Sequence, residues 1–181
     1  MAHQKADAQP AENGEETMPK TMVALIIFAT IASVARAQTP QAPVPPPTTL
    51  YGSPVGIDVA RAAAAAAEAE AKKIGAFEAI AVVDPSGSLV YFERMDNTQY
   101  GSVRVAIDKA RSAAQFRRPT KVFSDLVVSG NMALIGLRGA VPLDGGVPLI
   151  SDGKIIGAIG VSGGSGPQDG QVVKAGADAV K

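Results

Sequence analysis

The sequence predicts an α+β domain in which one antiparallel sheet is covered by helices, and three observations carry that expectation. An alanine-rich stretch with helical periodicity opens the domain, two short β-branched runs are joined by strong turn sequences, and a glycine-rich loop leads into a closing amphipathic helix. The predicted order of helix, hairpin, helix, short helix, strands and helix is that of a sheet with helices packed on it.

Residues 57–74 (IDVARAAAAAAEAEAKKI) form the first helix, because Ala is the best helix former and Glu68–Lys72 is an i,i+4 pair in the favourable order. Gly75 follows as its stop. The apolar run at residues 79–83 and the run at residues 88–94 flank Asp84-Pro85-Ser86-Gly87, which predicts a β-hairpin. Residues 102–116 form a second helix, with Val103, Ala106, Ile107, Ala110, Ala113 and Ala114 on one stripe. Arg104, Asp108, Arg111 and Gln115 fall on its other face, and Pro119 ends it. A short third helix spans residues 121–128, with Thr120 expected to cap it through its hydroxyl. Residues 147–150 and 155–161 flank Ser151-Asp152-Gly153-Lys154, a hairpin signal. Residues 140–143 are expected to add an edge strand, since Pro142 is tolerated only at an edge. Residues 167–180 close the domain as a helix.

Upstream of the domain the organisation changes. Lys20, an apolar run from Met22 to Val34, and Ala35-Arg36-Ala37 compose a secretory signal cleaved after Ala37. The apolar run is shorter than the roughly 20 residues of a bilayer span. Residues 1–37 are therefore read as a signal peptide, with Met18 as an alternative start, and the protein is expected to be secreted or periplasmic and free of the membrane after cleavage. Residues 38–50 (QTPQAPVPPPTTL) are a proline-rich spacer, and residues 51–181 are the domain.

Composition excludes several classes of chemistry. Apolar residues make up 46% of the chain but aromatics only 4%, so the core must be built from Ala, Val, Ile and Leu. With 17 basic and 17 acidic residues, no basic excess points to nucleic acid. The absence of cysteine removes disulfides, thiolate metal sites and thiol catalysis. The single histidine is His3, upstream of the cleavage point, which removes histidine triads and imidazole ligands from the mature chain. Glu93, Asp96 and Lys109 remain for acid–base work, and solvated charge is the alternative for Glu93 and Asp96. Asp84 reads as a turn residue and Asp108 as a surface ion-pair residue. The loop Gly160–Gly166 (GVSGGSG) opens onto a helix, which suits either an anion or a plain loop. Arg117, Arg118 and Lys121 around Pro119-Thr120 read as a solvated cap or a seat for carboxylates.

Residues 106–120 (AIDKARSAAQFRRPT), 143–150 (LDGGVPLI), 153–163 (GKIIGAIGVSG) and 81–87 (AVVDPSG), with the closing Ala175-Gly176 helix, resemble the GlcG/HbpS family. The resemblance runs from Ile57 to Val180. It implies a profilin-like α/β/α sandwich that assembles into homo-oligomers. The family includes an extracellular haem-binding sensor accessory protein that also degrades haem and takes up iron, a domain fused to corrinoid adenosyltransferases, and a domain from glycolate-utilisation operons. It implies haem as cofactor, with the iron associated with the Thr of a Pro-Thr motif, here Thr120. Support for the haem is then expected from Arg117 or Arg118 on the propionates. This chain departs from the family pattern in lacking a histidine after residue 3 and in carrying Asp96-Asn97-Thr98-Gln99-Tyr100-Gly101 before the second helix. A neutral hydroxyl is a poorer iron ligand than His, Cys, Met or Tyr, so weak haem binding is expected, with Tyr100 as the second candidate ligand. Three functions follow: a haem or tetrapyrrole binder, an accessory enzyme acting on a small organic acid or on haem, and a structural oligomer without ligand.

Overall fold

The computed structural model describes residues 48–180. The signal peptide at residues 1–37 and most of the proline-rich spacer lie outside the described residues. Among the described residues four helices, α1 (Ile57–Ile74), α2 (Tyr100–Phe116), α3 (Lys121–Val128) and α4 (Gly166–Asp178), accompany four strands. The strands are β1 (Ala79–Val83), β2 (Leu89–Arg94), β3 (Gly146–Ser151) and β4 (Lys154–Ser162), and the sheet order is β2-β1-β4-β3. Every pairing between them is antiparallel.

The sheet divides two apolar layers. On one face Ile80, Val82, Leu149, Ile159 and Val161 pack with the alanine stripe of α1 (Ala60, Ala63, Ala64, Ala67, Ala71) and with Val172 and Val173 of α4. On the other, Ala79, Ala81, Val83 and Ala158 meet Ala106, Ala110, Ala113 and Ala114 of α2. The alternation follows from the period of two along a strand, and all five residues of β1 are buried because both faces are covered. The result is the expected α+β fold, an α/β/α sandwich. On the α2 side both layers are built of small residues, so helix and sheet approach closely. At Gly160, in β4, a Cβ would lie 2.2 Å from the Ala106 carbonyl oxygen and 2.5 Å from the Ala110 nitrogen.

The local stops work as their residues dictate. Gly75 closes α1 in the left-handed region at φ 70°. Asp152 and Gly153, at φ 50° and 70°, make the β3–β4 turn. In the β1–β2 turn the Asp84 carboxylate accepts bonds from the backbone N–H of Ser86 and Ser88 and from the Ser86 hydroxyl. Asp108 pairs with Arg111 at 3.8 Å on the surface of α2.

Two sequence expectations are corrected. Residues 140–143 are loop, not an edge strand: the Val141 N–H donates to the Ser112 hydroxyl and the Ala140 N–H to the Leu137 carbonyl, while Pro142 has none to give. A 3-10 turn, Met132–Gly136, precedes that loop. Thr120 stands at the start of α3, but its hydroxyl caps nothing there. It is fully buried, and its Oγ accepts the Gly146 N–H at 2.9 Å while its own N–H donates to the Gly146 carbonyl at 2.9 Å. Thr120 thus ties α3 to the start of β3. Among the described residues no helix is long and apolar enough to cross a membrane.

Candidate functional site

A cleft of about 670 Å³ opens where the first turn of α2, the first turn of α3, the Leu143–Asp144 loop and the start of α4 converge. Val105, Leu143 and Pro167 give it apolar wall; Gln99, Lys121, Ser124 and Asp144 give it polar rim. Its floor contains Ser102, Lys109, Ser162, Gly164 and Asp169.

The floor is a buried charge cluster. The Lys109 ammonium, only 2% exposed, donates to Asp169 Oδ2 at 2.5 Å and to the Val161 carbonyl at 3.0 Å. Asp169 Oδ1 accepts the Gly164 N–H at 2.9 Å. The same N–H lies 3.2 Å from Oε2 of Glu78, a fully buried carboxyl whose Oε1 has no hydrogen-bond partner. Beside the cluster the Ser162 hydroxyl donates to the Ser102 oxygen at 3.3 Å, and Gln99 Nε2 donates to the same oxygen at 3.0 Å. Gly145 closes over the pair at φ 114°; a Cβ there would fall 2.8 Å from Lys109 Nζ and 2.7 Å from the Val161 carbonyl oxygen.

Burial, together with the neighbouring Asp169 charge, pushes the Glu78 carboxyl up to about 7. Burial also raises Asp169, against the pull of the Lys109 ammonium. The folded state keeps a proton on Glu78 that the unfolded chain, at 4.5, releases. The contribution is complete below about pH 4.5 and lost as pH rises through about 7, up to about 3 kcal/mol. Urea unfolding at pH 5 and pH 8 is therefore expected to give a lower stability at pH 8, and Glu78→Gln is expected to remove most of that difference. An equal pH slope in the variant would show that other groups set it.

The sequence-predicted candidates are dispersed relative to this cleft. Thr120 lies behind it, buried, next to the rim residue Lys121. Arg117, in the left-handed conformation at φ 53°, places its guanidinium 5.5 Å over the Tyr51 ring and donates to the Thr49 carbonyl. Arg118 sits 5.8 Å over Phe123 and donates to the Phe116 carbonyl. Neither arginine lines the cleft. Tyr100, 83% exposed, begins α2 between the cleft residues Gln99 and Gly101, with the Arg94 guanidinium 5.0 Å over its ring. Glu93 accepts a bond from the Tyr91 hydroxyl at 3.0 Å, and Asp96 is exposed; both lie off the cleft.

The anion reading of the glycine loop is answered internally. Gly164 donates to the chain's own carboxylates, Ser165 donates to the Gln168 side chain, Pro167 has no N–H, and Ser165 with Gln168 forms a capping box. Of the charged residues in the floor cluster, sequence reasoning named only Lys109. Its signal was a cation inside the apolar stripe Ala106–Ala110–Ala113. Glu78 and Asp169 carried no comparable mark, since each sits beside a strand or in the first turns of a helix where solvated carboxylates are common.

The comparisons converge on one family. A family model described as haem degrading protein HbpS-like matches residues 55–178. The chain is similar to protein GlcG of Escherichia coli (strain K12), 43% identical over 104 residues that make up 58% of this chain and 78% of that protein. Among solved structures, HbpS aligns with a TM-score of 0.66 at 28% identity, over 77% of this chain and 99% of that one. The crystal structure of a PduOC:heme complex aligns with a TM-score of 0.65 at 27% identity, over 71% and 96% of the two chains.

Proposed function

Since the chain belongs to the HbpS-like family, we propose that it is an exported haem-binding protein and that the cleft between α2, α3 and α4 takes the porphyrin. The carrying observation is the cleft itself: about 670 Å³, with apolar walls and a lysine at its rim, in a fold shared with a protein solved in complex with haem. That volume lies within the range of small-molecule pockets. Val105, Leu143 and Pro167 suit the apolar ring, and Lys121 suits a propionate.

The donor set fits the ring and the carboxylates but not strong ligation of the iron. Among the described residues lining the cleft none is His, Cys, Met or Tyr, the side chains that hold haem iron firmly. Tyr100 is the phenol nearest the mouth in sequence. Thr120, whose counterpart the resemblance associates with iron, supports the cleft through its tie to Gly146. Binding is thus carried by the porphyrin more than by its metal.

Export rests on the sequence of residues 1–37, and the resemblance adds assembly into homo-oligomers. Haem degradation belongs to the same reading through the description of the matched family, and iron handling through the resemblance.

The experiment is a pair of titrations, haemin and iron-free protoporphyrin IX, on protein recovered from the medium or periplasm with Gln38 expected as its first residue. A saturable Soret shift is expected with haemin, and the two affinities are expected to agree within about threefold, less than 1 kcal/mol. Lys121→Ala is expected to weaken both by about threefold, the scale of an exposed charge pair. Thr120→Ala separates two roles: loss for both porphyrins marks support of the cleft, and loss for haemin alone marks contact with iron. No saturable shift in the parent protein would sink the reading.

A further inference from the structure

The Lys109–Asp169–Glu78 cluster has more charge and less solvent than a porphyrin ring calls for. Burying an ammonium and a carboxylate costs several kcal/mol, and well-packed apolar residues of similar volume often serve stability as well or better. The pair therefore has no evident stabilising purpose, yet it lies on the floor of an open cleft.

Its bonding leaves capacity on that floor. An ammonium has three N–H donors, and among the described residues Lys109 commits two, to Asp169 and to Val161. Asp169 has lone-pair capacity beyond that taken by Lys109, Gly164 and Gly163. Next to it stands Glu78, fully buried, with Oε1 unpartnered and against Gly164, itself a lining residue. The charged groups facing Glu78 are Asp169 from α4 and Lys109 from α2. A donor for a developing oxyanion, a base beside it and a second carboxyl behind the base make up an acid–base site.

We propose that the floor of the cleft is a proton-transfer site for a small carbonyl compound, with Lys109 hydrogen-bonding the carbonyl oxygen and Asp169 exchanging the proton of the adjacent carbon. In the step, the C–H bond next to the carbonyl breaks and its proton goes to the Asp169 carboxylate. The electron pair moves into the carbon–carbon bond, and the enolate oxygen accepts the Lys109 N–H. The reverse step returns a proton to carbon, so no oxidant or second reactant is consumed. Glu78, held behind Asp169, is a positioning residue that sets the basicity of Asp169: its ionisation makes Asp169 a stronger base, so exchange rises with pH. This inference does not depend on haem binding and is tested without haem.

The test follows deuterium uptake by proton NMR into pyruvate and hydroxyacetone in deuterated buffer, with the full chain and with no protein. Exchange at least about tenfold above the protein-free rate is expected, equivalent to about 1.4 kcal/mol of barrier. Single substitutions of the pair threaten the fold, so the decisive variant is Lys109→Met with Asp169→Leu, its folding checked by circular dichroism and thermal melting. That folded variant is expected to fall to the protein-free rate, and in Glu78→Gln the rise of exchange with pH is expected to flatten. No exchange above the protein-free rate by the parent chain, or full exchange by the folded double variant, overturns the site. An unchanged pH profile in Glu78→Gln overturns the role given to that residue.

Discussion

Lys109→Met alone is expected to destabilise the domain by about 3–5 kcal/mol, the usual cost of stripping one partner from a buried ion pair. The physical reason is what remains. Without the ammonium, Asp169 is left beside Glu78, two buried carboxyls that meet at the Gly164 N–H. Protonation is the way out of that repulsion, and burial already raises both groups. The deficit is therefore expected to be larger at pH 8 than at pH 5, because stability tied to raised carboxyls is lost as pH rises through their folded values. Adding Asp169→Leu is expected to restore most of the loss, to within about 1–2 kcal/mol of the parent, since the pair is then replaced by apolar volume. Urea unfolding of the two variants at both pH values checks the point. Equal losses in the single and double variants would mean that the cost is one of packing, not of charge.

Gly160→Ala is expected to cost about 3 kcal/mol or more, at the upper end of what overpacking does and unusual for the addition of one methyl group. The atoms that a new Cβ would meet, at 2.2 and 2.5 Å, belong to the backbone of α2 and have no rotamer to change. Relief requires the whole helix to lift from the sheet, which would also loosen Lys109, three residues beyond Ala106 on the same helix. Gly101→Ala offers the control, since a Cβ there meets nothing within 4 Å. Thermal melting of the two variants is expected to show a large drop for the first and almost none for the second. Equal melting temperatures would mean that the helix–sheet spacing relaxes at little cost.

Much of the fold was legible because its signals are local. The alanine run and Gly75 mark both ends of α1, and the bounds Ile57–Ile74 coincide with the sequence reading. Asp84-Pro85-Ser86-Gly87 and Asp152-Gly153 mark the two hairpins, each by a mechanism contained in four residues or fewer. Where such a signal was weak, the reading failed. At residues 140–143 a β-branched residue beside a proline suggested an edge, but the Val141 N–H goes to the Ser112 hydroxyl, 29 residues away. Thr120 failed in the same way, because a hydroxyl suited to a local cap bonds instead to Gly146, 26 residues away.

The site was less legible for the same reason at longer range. Lys109 and Asp169 are separated by 60 residues and Glu78 and Gly164 by 86. Neither pairing has a spacing that a sequence pattern fixes. The sheet order brings them together: β4 lies beside β1, so Ser162 at the end of β4 pairs with Ala79 at the start of β1. That places the Gly163–Gly164 loop directly over Glu78. Only the charge inside the α2 stripe could have been noticed beforehand.

The small-residue interior has one more consequence, for how this protein should be interrogated. Among the described residues, thirteen of the twenty-four buried apolar side chains are alanine, including every one that α1 and α2 contribute. An alanine scan is silent at each of those positions, because the residue is already what the scan installs. Truncation would report a tolerant domain with a handful of sensitive strand residues. The informative experiment runs the other way, toward larger side chains, and a map of where this interior refuses a methyl group would trace the surface on which α2 lies.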